Sequence, residues 1–157
     1  MKNYKKILWY VFFLIGSITL SILVRVEPKD VKIGIHCGEC VQHCFDIYRL
    51  TGSKIEIDST SGFQGVHVKN EFDFKLLPLH VEYKTHIKIP LILYLLPSST
   101  FGCPDCYDQC GLFLQIYGFG FKKTFDIDPN SIPFYLANTI DESESVIKEI
   151  KGNIDKF

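Results

Sequence analysis

Two cysteine triplets of identical spacing constrain this chain more than any other feature. Each has the pattern Cys-x2-Cys-x3-Cys, and together they hold all six cysteines of the 157-residue chain: Cys37, Cys40 and Cys44 in the first, and Cys103, Cys106 and Cys110 in the second. Each triplet is followed by an apolar run, a glycine turn and a second run ending in Ile-Asp. Six sulfurs in this arrangement can form disulfides, bind a metal or act as a redox pair, and the compartment decides among these chemistries.

The first 24 residues have the composition of a membrane anchor. Ile7–Val24 is an unbroken stretch of 18 uncharged, mostly apolar residues, and a helix needs about 20 such residues to cross the hydrocarbon layer. The stretch has no A-x-A-like cleavage site, and no cysteine follows it directly for lipid attachment. We therefore predict that residues 1–24 form an uncleaved transmembrane helix, a signal anchor, that contacts the membrane through residues 7–24. A cleaved signal peptide is the alternative.

The charges flanking this stretch predict its orientation. Lys2, Lys5 and Lys6 precede it, and basic residues favour the cytoplasmic side. The predicted localisation is the inner membrane, single-pass, with the N-terminus cytoplasmic and residues 25–157 forming one extracytoplasmic domain in the cell envelope. After cleavage, the same domain would be secreted or periplasmic.

The charge balance of the domain bears on its partners. From residue 26 onward the chain carries 13 basic and 18 acidic residues, with no basic patch. Nucleic-acid binding requires a basic surface for the phosphates, so we expect no nucleic-acid partner. The acidic domain suits a protein or glycan partner in the envelope, although no residue identifies one.

Residue alternation predicts a strand and two hairpins. Residues 25–32 have the composition of a short polar linker, and Val31–His36 alternates as a half-buried strand does. The first hairpin is predicted over 45–58, with Thr51-Gly52-Ser53 as its turn. The second is predicted over 111–128, with its turn at Gly118-Phe119-Gly120.

Two helices complete the predicted domain. An apolar stripe predicts a helix over 132–150, with Pro133 in its first turn and Gly152 as its cap. Residues 80–89 alternate like a strand, but their position in the chain favours a helix over 79–96, since both halves would then share the order triplet, hairpin, helix. We predict an α+β fold in which two β-hairpins, related by a pseudo-repeat, form one antiparallel sheet packed against two helices. The two triplets would lie close together in this arrangement.

One segment resembles a known family. GCPDCYDQCGLFLQIYG, followed by KTFDID and NSIPFYL, is similar to an uncharacterised family of small bacterial envelope proteins, many of them lipoproteins. Members of that family carry a CxxCxxxC segment before a hairpin and a GCPDCxDxGG segment before a strand and an Ile-Pro-x-Tyr-Leu helix. The resemblance spans roughly residues 36–150 and implies an envelope location, this fold and a helix before the GCPDC segment, but no activity. Cys110 stands where the family has glycine, and the lipid-attachment cysteine is absent.

Export favours disulfides as the state of the six cysteines. An even number of thiols in an oxidising compartment predicts bonded pairs, and six cysteines allow 15 pairings, so the connectivity stays open. The alternative is structural zinc, held by a tetrahedral set of sulfurs with His36 and His43 as spare ligands. The ligands in that alternative are Cys37, Cys40, Cys103 and Cys106.

The predicted function is that of a disulfide-stapled binding or structural module, membrane-anchored and extracytoplasmic. An enzyme of thiol–disulfide exchange is the main alternative: Cys37-Gly38-Glu39-Cys40 follows a strand, and a helix over 41–50 would be typical of a thioredoxin-like motif. The sequence shows no H-x3-H, G-x-S-x-G or phosphate-loop pattern. We expect no catalytic residues: His36 and His43 are predicted to be surface or turn residues, and Asp126 and Asp128 turn and cap residues.

Overall fold

The computed structural model describes residues 2–37, 45–52, 54–58, 74–76, 87–104 and 110–154. Its elements, in chain order, are α1 (Lys2–Leu23), β1 (Arg25–Val26), β2 (Asp30–Cys37), β3 (Phe45–Thr51), β4 (Lys54–Asp58), β5 (Phe74–Leu76), β6 (Ile89–Pro90), α2 (Ile92–Leu95), β7 (Ser99–Phe101), β8 (Cys110–Gly118), β9 (Phe121–Ile127) and α3 (Ala137–Ile154). The predicted α+β class is confirmed.

Seven strands form one sheet in the order β5-β4-β3-β2-β8-β9-β7. All neighbours are antiparallel except β7, which pairs in parallel with β9. Both predicted hairpins, β3–β4 and β8–β9, are present, but they do not adjoin each other. Strand β2 lies between them, with Ile33 opposite Tyr48 on one side and Leu114 on the other. A strand buried on both faces is suited to this central position. The repeat relation between the two halves stays a prediction.

One face of the sheet carries the apolar core. Alternate residues of β2, β8 and β9 point to this face, where helix α3 packs its apolar stripe. The fully buried members include Val31, Ile33, Leu114, Ile116, Phe125, Ile127, Leu136 and Ile150. Burial of each such side chain contributes roughly 1.5–3 kcal/mol.

The opposite face, here called the second face, is also buried but carries polar groups. Lys32 and His36 on β2, Gln115 on β8 and Asp126 on β9 are each less than 9% exposed. The pleat places them there, since each alternates with a core residue. Polar groups at this depth need partners. Gln115, for example, is hydrogen-bonded to Thr124 on β9, and His36 lies close to Asp126.

The helices differ from prediction at their ends. Helix α3 begins at Ala137 rather than near Ile132, because the chain first makes a turn in which Leu136 N donates to Pro133 O at 2.8 Å. Gly152 lies inside α3 instead of capping it.

The helix predicted over 79–96 is reduced, within the described residues, to the four residues of α2. Before it, Pro90 pairs with Arg25 in the two-stranded β1–β6 sheet, an edge position that tolerates its missing N–H. After it, Leu96 is extended because Pro97 follows. Residues 77–86 lie outside the described part of the chain, so the choice between helix and strand there stays open.

Helix α1 joins the domain without a linker. Its stretch Tyr4–Leu23 is long and apolar enough to cross a membrane, and its side chains are mostly exposed. Val24 O accepts a hydrogen bond from Leu91 N at 2.8 Å, and Arg25 begins β1. The polar linker predicted over 25–32 is therefore partly a strand.

The close approach of β2 and β3 provides a test of the sheet. A Cβ on Gly34 would clash with the carbonyl oxygen of Asp46 and lie 2.7 Å from Cα of Ile47, both backbone atoms that cannot move aside. We expect Gly34→Ala to lower the free energy of unfolding by about 1–3 kcal/mol, measured by urea unfolding of the full chain in detergent.

The matched control is Gly152→Ala. No atom lies within 4 Å of a Cβ at Gly152, so alanine should raise stability by up to about 1 kcal/mol through helix propensity. Equal effects of the two substitutions would contradict the register of β2 against β3.

Candidate functional site

A disulfide joins the two triplets at one end of the sheet, which we call the cysteine end. Cys37, the last residue of β2, lies opposite Cys110, the first residue of β8, and their sulfurs are bonded across 73 positions of sequence. The first cysteine of one triplet thus bonds the last cysteine of the other. The expected proximity of the triplets is confirmed, and one of the open pairings is assigned.

The remaining cysteines are described only in part. Cys103 is also disulfide-bonded. Cys40, Cys44 and Cys106 themselves lie outside the described residues, as does His43. Their predicted disulfide state stays a prediction.

A histidine and an aspartate meet beside the disulfide, on the second face of the sheet. His36 Nε2 lies 3.7 Å from Asp126 Oδ1, and the two side chains are 4% and 8% exposed. This distance is too long for a direct hydrogen bond. The two residues are on β2 and β9, so the contact crosses the whole width of β8.

Gly111 makes this contact possible. It lies opposite His36 in the ladder, and a Cβ there would lie 2.7 Å from His36 Nε2 and would clash with Pro104. The imidazole and the buried proline occupy the space that a side chain on β8 would fill. The glycine is therefore required by packing, not by backbone conformation.

These positions differ from the sequence interpretation. His36 was expected at the surface or in a turn, and that prediction is wrong, because β2 continues to Cys37 and buries it. Asp126 was expected in a turn or cap, and it is instead a buried residue of β9. The available signal was alternation, which places Lys32, Gly34 and His36 together on one face of β2.

Asp128 takes the turn role predicted for it. Its carboxylate accepts hydrogen bonds from Asn130 N at 2.8 Å and Cys103 N at 3.2 Å. These backbone donors, Asn130 first, hold the pKa of the Asp128 carboxyl below its ordinary value of 3.8. Gly102, at φ +73°, lets the chain pass close to Asp128. The turn after β9 is thereby fixed to the start of the second triplet.

A second polar cluster lies on the same face, toward the opposite end of the sheet. The Arg49 guanidinium donates to both carboxylate oxygens of Asp30, at 3.1 and 2.8 Å, and lies 3.4 Å from a carboxylate oxygen of Glu56. The bidentate hydrogen bond to Asp30 is the main cause that raises the pKa of Arg49. Beside it, Tyr117 donates to Gln115, whose amide donates to Thr124.

The described residues present no group of three or more His, Cys, Asp and Glu that could hold a metal. Of the four sulfurs in the zinc alternative, those of Cys37 and Cys103 are in disulfides, whereas zinc binds the thiolate. The zinc alternative thus applies to a reduced chain and stays a prediction.

Two observations disfavour the thioredoxin-like alternative. It requires a helix over 41–50, whereas the described part of that range, from Phe45 onward, is a strand. Cys37 is bonded to Cys110 rather than to Cys40, its partner in the CxxC motif. The described geometry therefore supports a structural disulfide at this position.

Comparison of the chain with protein-family models, with curated proteins and with solved structures finds no match. The resemblance to the family of small bacterial envelope proteins rests on its motifs and stays a prediction.

Removal of the inter-triplet disulfide should destabilise the domain. The bond closes a loop of 73 positions, for which the chain-entropy model gives about 4 kcal/mol. We expect Cys37→Ser to lower the free energy of unfolding by that amount, measured by urea unfolding in detergent. The double variant Cys37→Ser/Cys110→Ser controls for the new free thiol and should lose the same amount. A loss below about 1 kcal/mol in both would contradict a stapling role.

The Asp128 turn predicts a dependence of stability on pH. Because the folded pKa of this carboxyl is lowered, its ionised form stabilises the fold above the unfolded pKa of about 3.9, and this contribution is lost as pH falls through the folded pKa. We expect the stability difference between wild type and Asp128→Asn to be largest above pH ~5 and to shrink toward pH ~2. Asp141→Asn, at an exposed position of α3, is the control, and an identical pH profile for both variants would contradict the prediction.

Proposed function

We propose that this chain is a single-pass, membrane-anchored domain on the extracytoplasmic side of a bacterial envelope, where it serves as a binding or structural module held by disulfides. The observation that carries the proposal is the junction of α1 with the domain. A helix able to cross a membrane continues directly into a strand and a salt bridge of the folded domain.

The junction favours an anchor over a cleaved signal peptide. The Arg25 guanidinium donates to both carboxylate oxygens of Glu142, at 2.9 and 3.0 Å, and to the carbonyl oxygen of Lys88. Glu142 also accepts from Lys88 N at 2.7 Å. Residues just past the apolar stretch are thus part of the fold, and no small-residue cleavage site lies there. Bidentate arginine–carboxylate pairs are among the stronger charge-assisted contacts.

The disulfides support the extracytoplasmic side. Bonds such as Cys37–Cys110 persist in oxidising compartments and are rare in the cytosol. Lys2, Lys5 and Lys6 favour a cytoplasmic N-terminus, which gives the same orientation.

A structural or binding role suits the polar groups as well. Charged and polar side chains of the second face pair across neighbouring strands, as in the Arg49–Asp30 pair and the hydrogen bond from Gln115 to Thr124. Such networks hold strand register and orientation.

The proposal is tested by topology and intact mass together. A C-terminal alkaline phosphatase fusion should be active in a bacterial host, and a fluorescent-protein fusion at the same position should be dark, because only the former folds outside the cytoplasm. The full chain, extracted from the membrane, should keep the mass of residues 1–24 and should gain about two mass units per disulfide on reduction. Loss of residues 1–24 would show a signal peptide, and an inactive phosphatase fusion would contradict the orientation.

A further inference from the structure

Exposed apolar side chains occur in the described domain as well as on α1. Beyond Val24, which directly follows α1, the large ones outside α1 are Leu95, Phe119, Phe121 and Phe134, each at least 60% exposed. Leu95 is on α2, and Phe119 and Phe121 are at the β8–β9 turn. Exposed phenylalanines cost solubility, and a group of them marks an interaction surface.

The first three of these residues belong to elements that connect to the end of α1 through α2. Leu91 N donates to Val24 O, so α2 begins beside the residue that follows the apolar helix. Leu95 is one helical turn further on. Tyr94, also on α2, packs edge-to-face on Phe119 with ring centroids 5.2 Å apart. Contacts therefore run without interruption from the end of α1 to the hairpin tip.

The hairpin tip is built at a conformational cost. Phe119 has φ +51° and Gly120 φ +79°, the two left-handed positions of a tight turn where Asn-Gly is the preferred pair. A bulky residue in this region is under backbone strain. Phe119 is nevertheless 72% exposed, so burial of its ring within the chain contributes little to offset that strain. Both observations are explained if the ring is buried in something outside the chain.

Two lysines border these exposed apolar side chains. Lys122 and Lys123 follow Phe121 directly, and Lys123 Nζ lies 5.8 Å from the centroid of the Phe121 ring. A lysine close to an anionic lipid surface is attracted to its phosphates. Apolar rings flanked by lysines are typical of segments that lie in the headgroup region.

We propose that Leu95, Phe119 and Phe121 insert into the headgroup region of the membrane that α1 crosses, with Lys122 and Lys123 on its anionic phosphates. We call these five residues the membrane-contact cluster. The proposal rests on the proposed function, since it requires α1 to remain in the membrane. It adds a second attachment, which would orient the domain on the bilayer surface.

The orientation has a consequence for the disulfide. Asp30, at the start of β2, lies opposite Tyr117 next to the hairpin tip, and Cys37 is at the other end of the strand. The seven steps from Asp30 to Cys37, at about 3.3 Å each, span roughly 23 Å. The cysteine end would therefore be held away from the bilayer, toward other envelope components.

Single-tryptophan reporters test the proposal in the full chain. Trp9 is the only tryptophan, so Trp9→Phe provides a background into which Phe119→Trp is introduced, with Phe121→Trp as a second reporter. The control is Glu149→Trp, at an exposed position of α3. This position is two residues before Lys151, whose ammonium contacts Asp46 near the cysteine end of the sheet. Each chain is reconstituted in vesicles of phosphatidylcholine and phosphatidylglycerol whose lipids are brominated near the headgroup.

We expect several-fold stronger quenching at positions 119 and 121 than at 149. Adding Lys122→Gln and Lys123→Gln should reduce the quenching at 119 in anionic vesicles toward its value in pure phosphatidylcholine. Equal, weak quenching at 119, 121 and 149 would overturn the proposal and would favour a protein partner for the cluster. An intact Cys37–Cys110 bond in each variant, established by mass, shows that the domain has folded.

Native Trp9 in the unsubstituted chain separates the two proposals. If Trp9 is quenched while position 119 is not, α1 is a membrane anchor and the membrane-contact cluster is wrong. If Trp9 is not quenched either, the anchor itself fails, and the proposed function fails with it.

Discussion

The rest of the structure depends on the pairing of β2 with a strand of each hairpin. Each of its edges is hydrogen-bonded, to β3 on one side and β8 on the other, so the first and second parts of the chain share one sheet. Because β2 is buried on both faces, a slip of one residue would move Val31 and Ile33 from the core to the second face and would bring Lys32 into the core. Gly34 and Gly111 fix the register further, because a side chain at either position would clash with atoms that the native pairing places beside it. The disulfide then closes the ladder at its last pair.

This central strand also gives the domain two different ends. Its start lies near the junction with α1, where Arg25 ties β1 to α3 through Glu142. Its end lies at the triplets, where Cys37, His36 and the Asp128 turn meet. The junction with α1 and the described cysteines are thus separated along one strand, and the sheet joins them. Under the proposed function, this separation would place the anchor at one end of the domain and the cysteines at the other.

Local sequence signals predicted much of this fold. Glycine turns flanked by alternating residues were sufficient for both hairpins, and an uninterrupted apolar stretch was sufficient for α1. The position of β2 between the hairpins could not be predicted, because alternation describes the faces of a strand and not its neighbours. His36 and Asp126 were missed for a related reason. Each was interpreted as polar and therefore exposed, whereas in a sheet covered on both sides a polar residue can be buried if another strand supplies its partner.

The cysteines show why spacing alone is an incomplete guide to a site. Spacing left the 15 possible pairings of the six cysteines open, and the described bond joins the first cysteine of one triplet to the last cysteine of the other. The bond follows from the ladder, because positions 37 and 110 are directly opposite in neighbouring strands, and that pairing depends on the whole sheet.

Folding and location are coupled through the same bond. Its contribution of about 4 kcal/mol is a large share of the 5–15 kcal/mol that stabilises an ordinary domain. A chain kept reduced would lack this contribution, whereas the same chain in an oxidising compartment would keep it. The Cys37–Cys110 bond therefore makes the stability of the fold depend on the redox conditions around the domain.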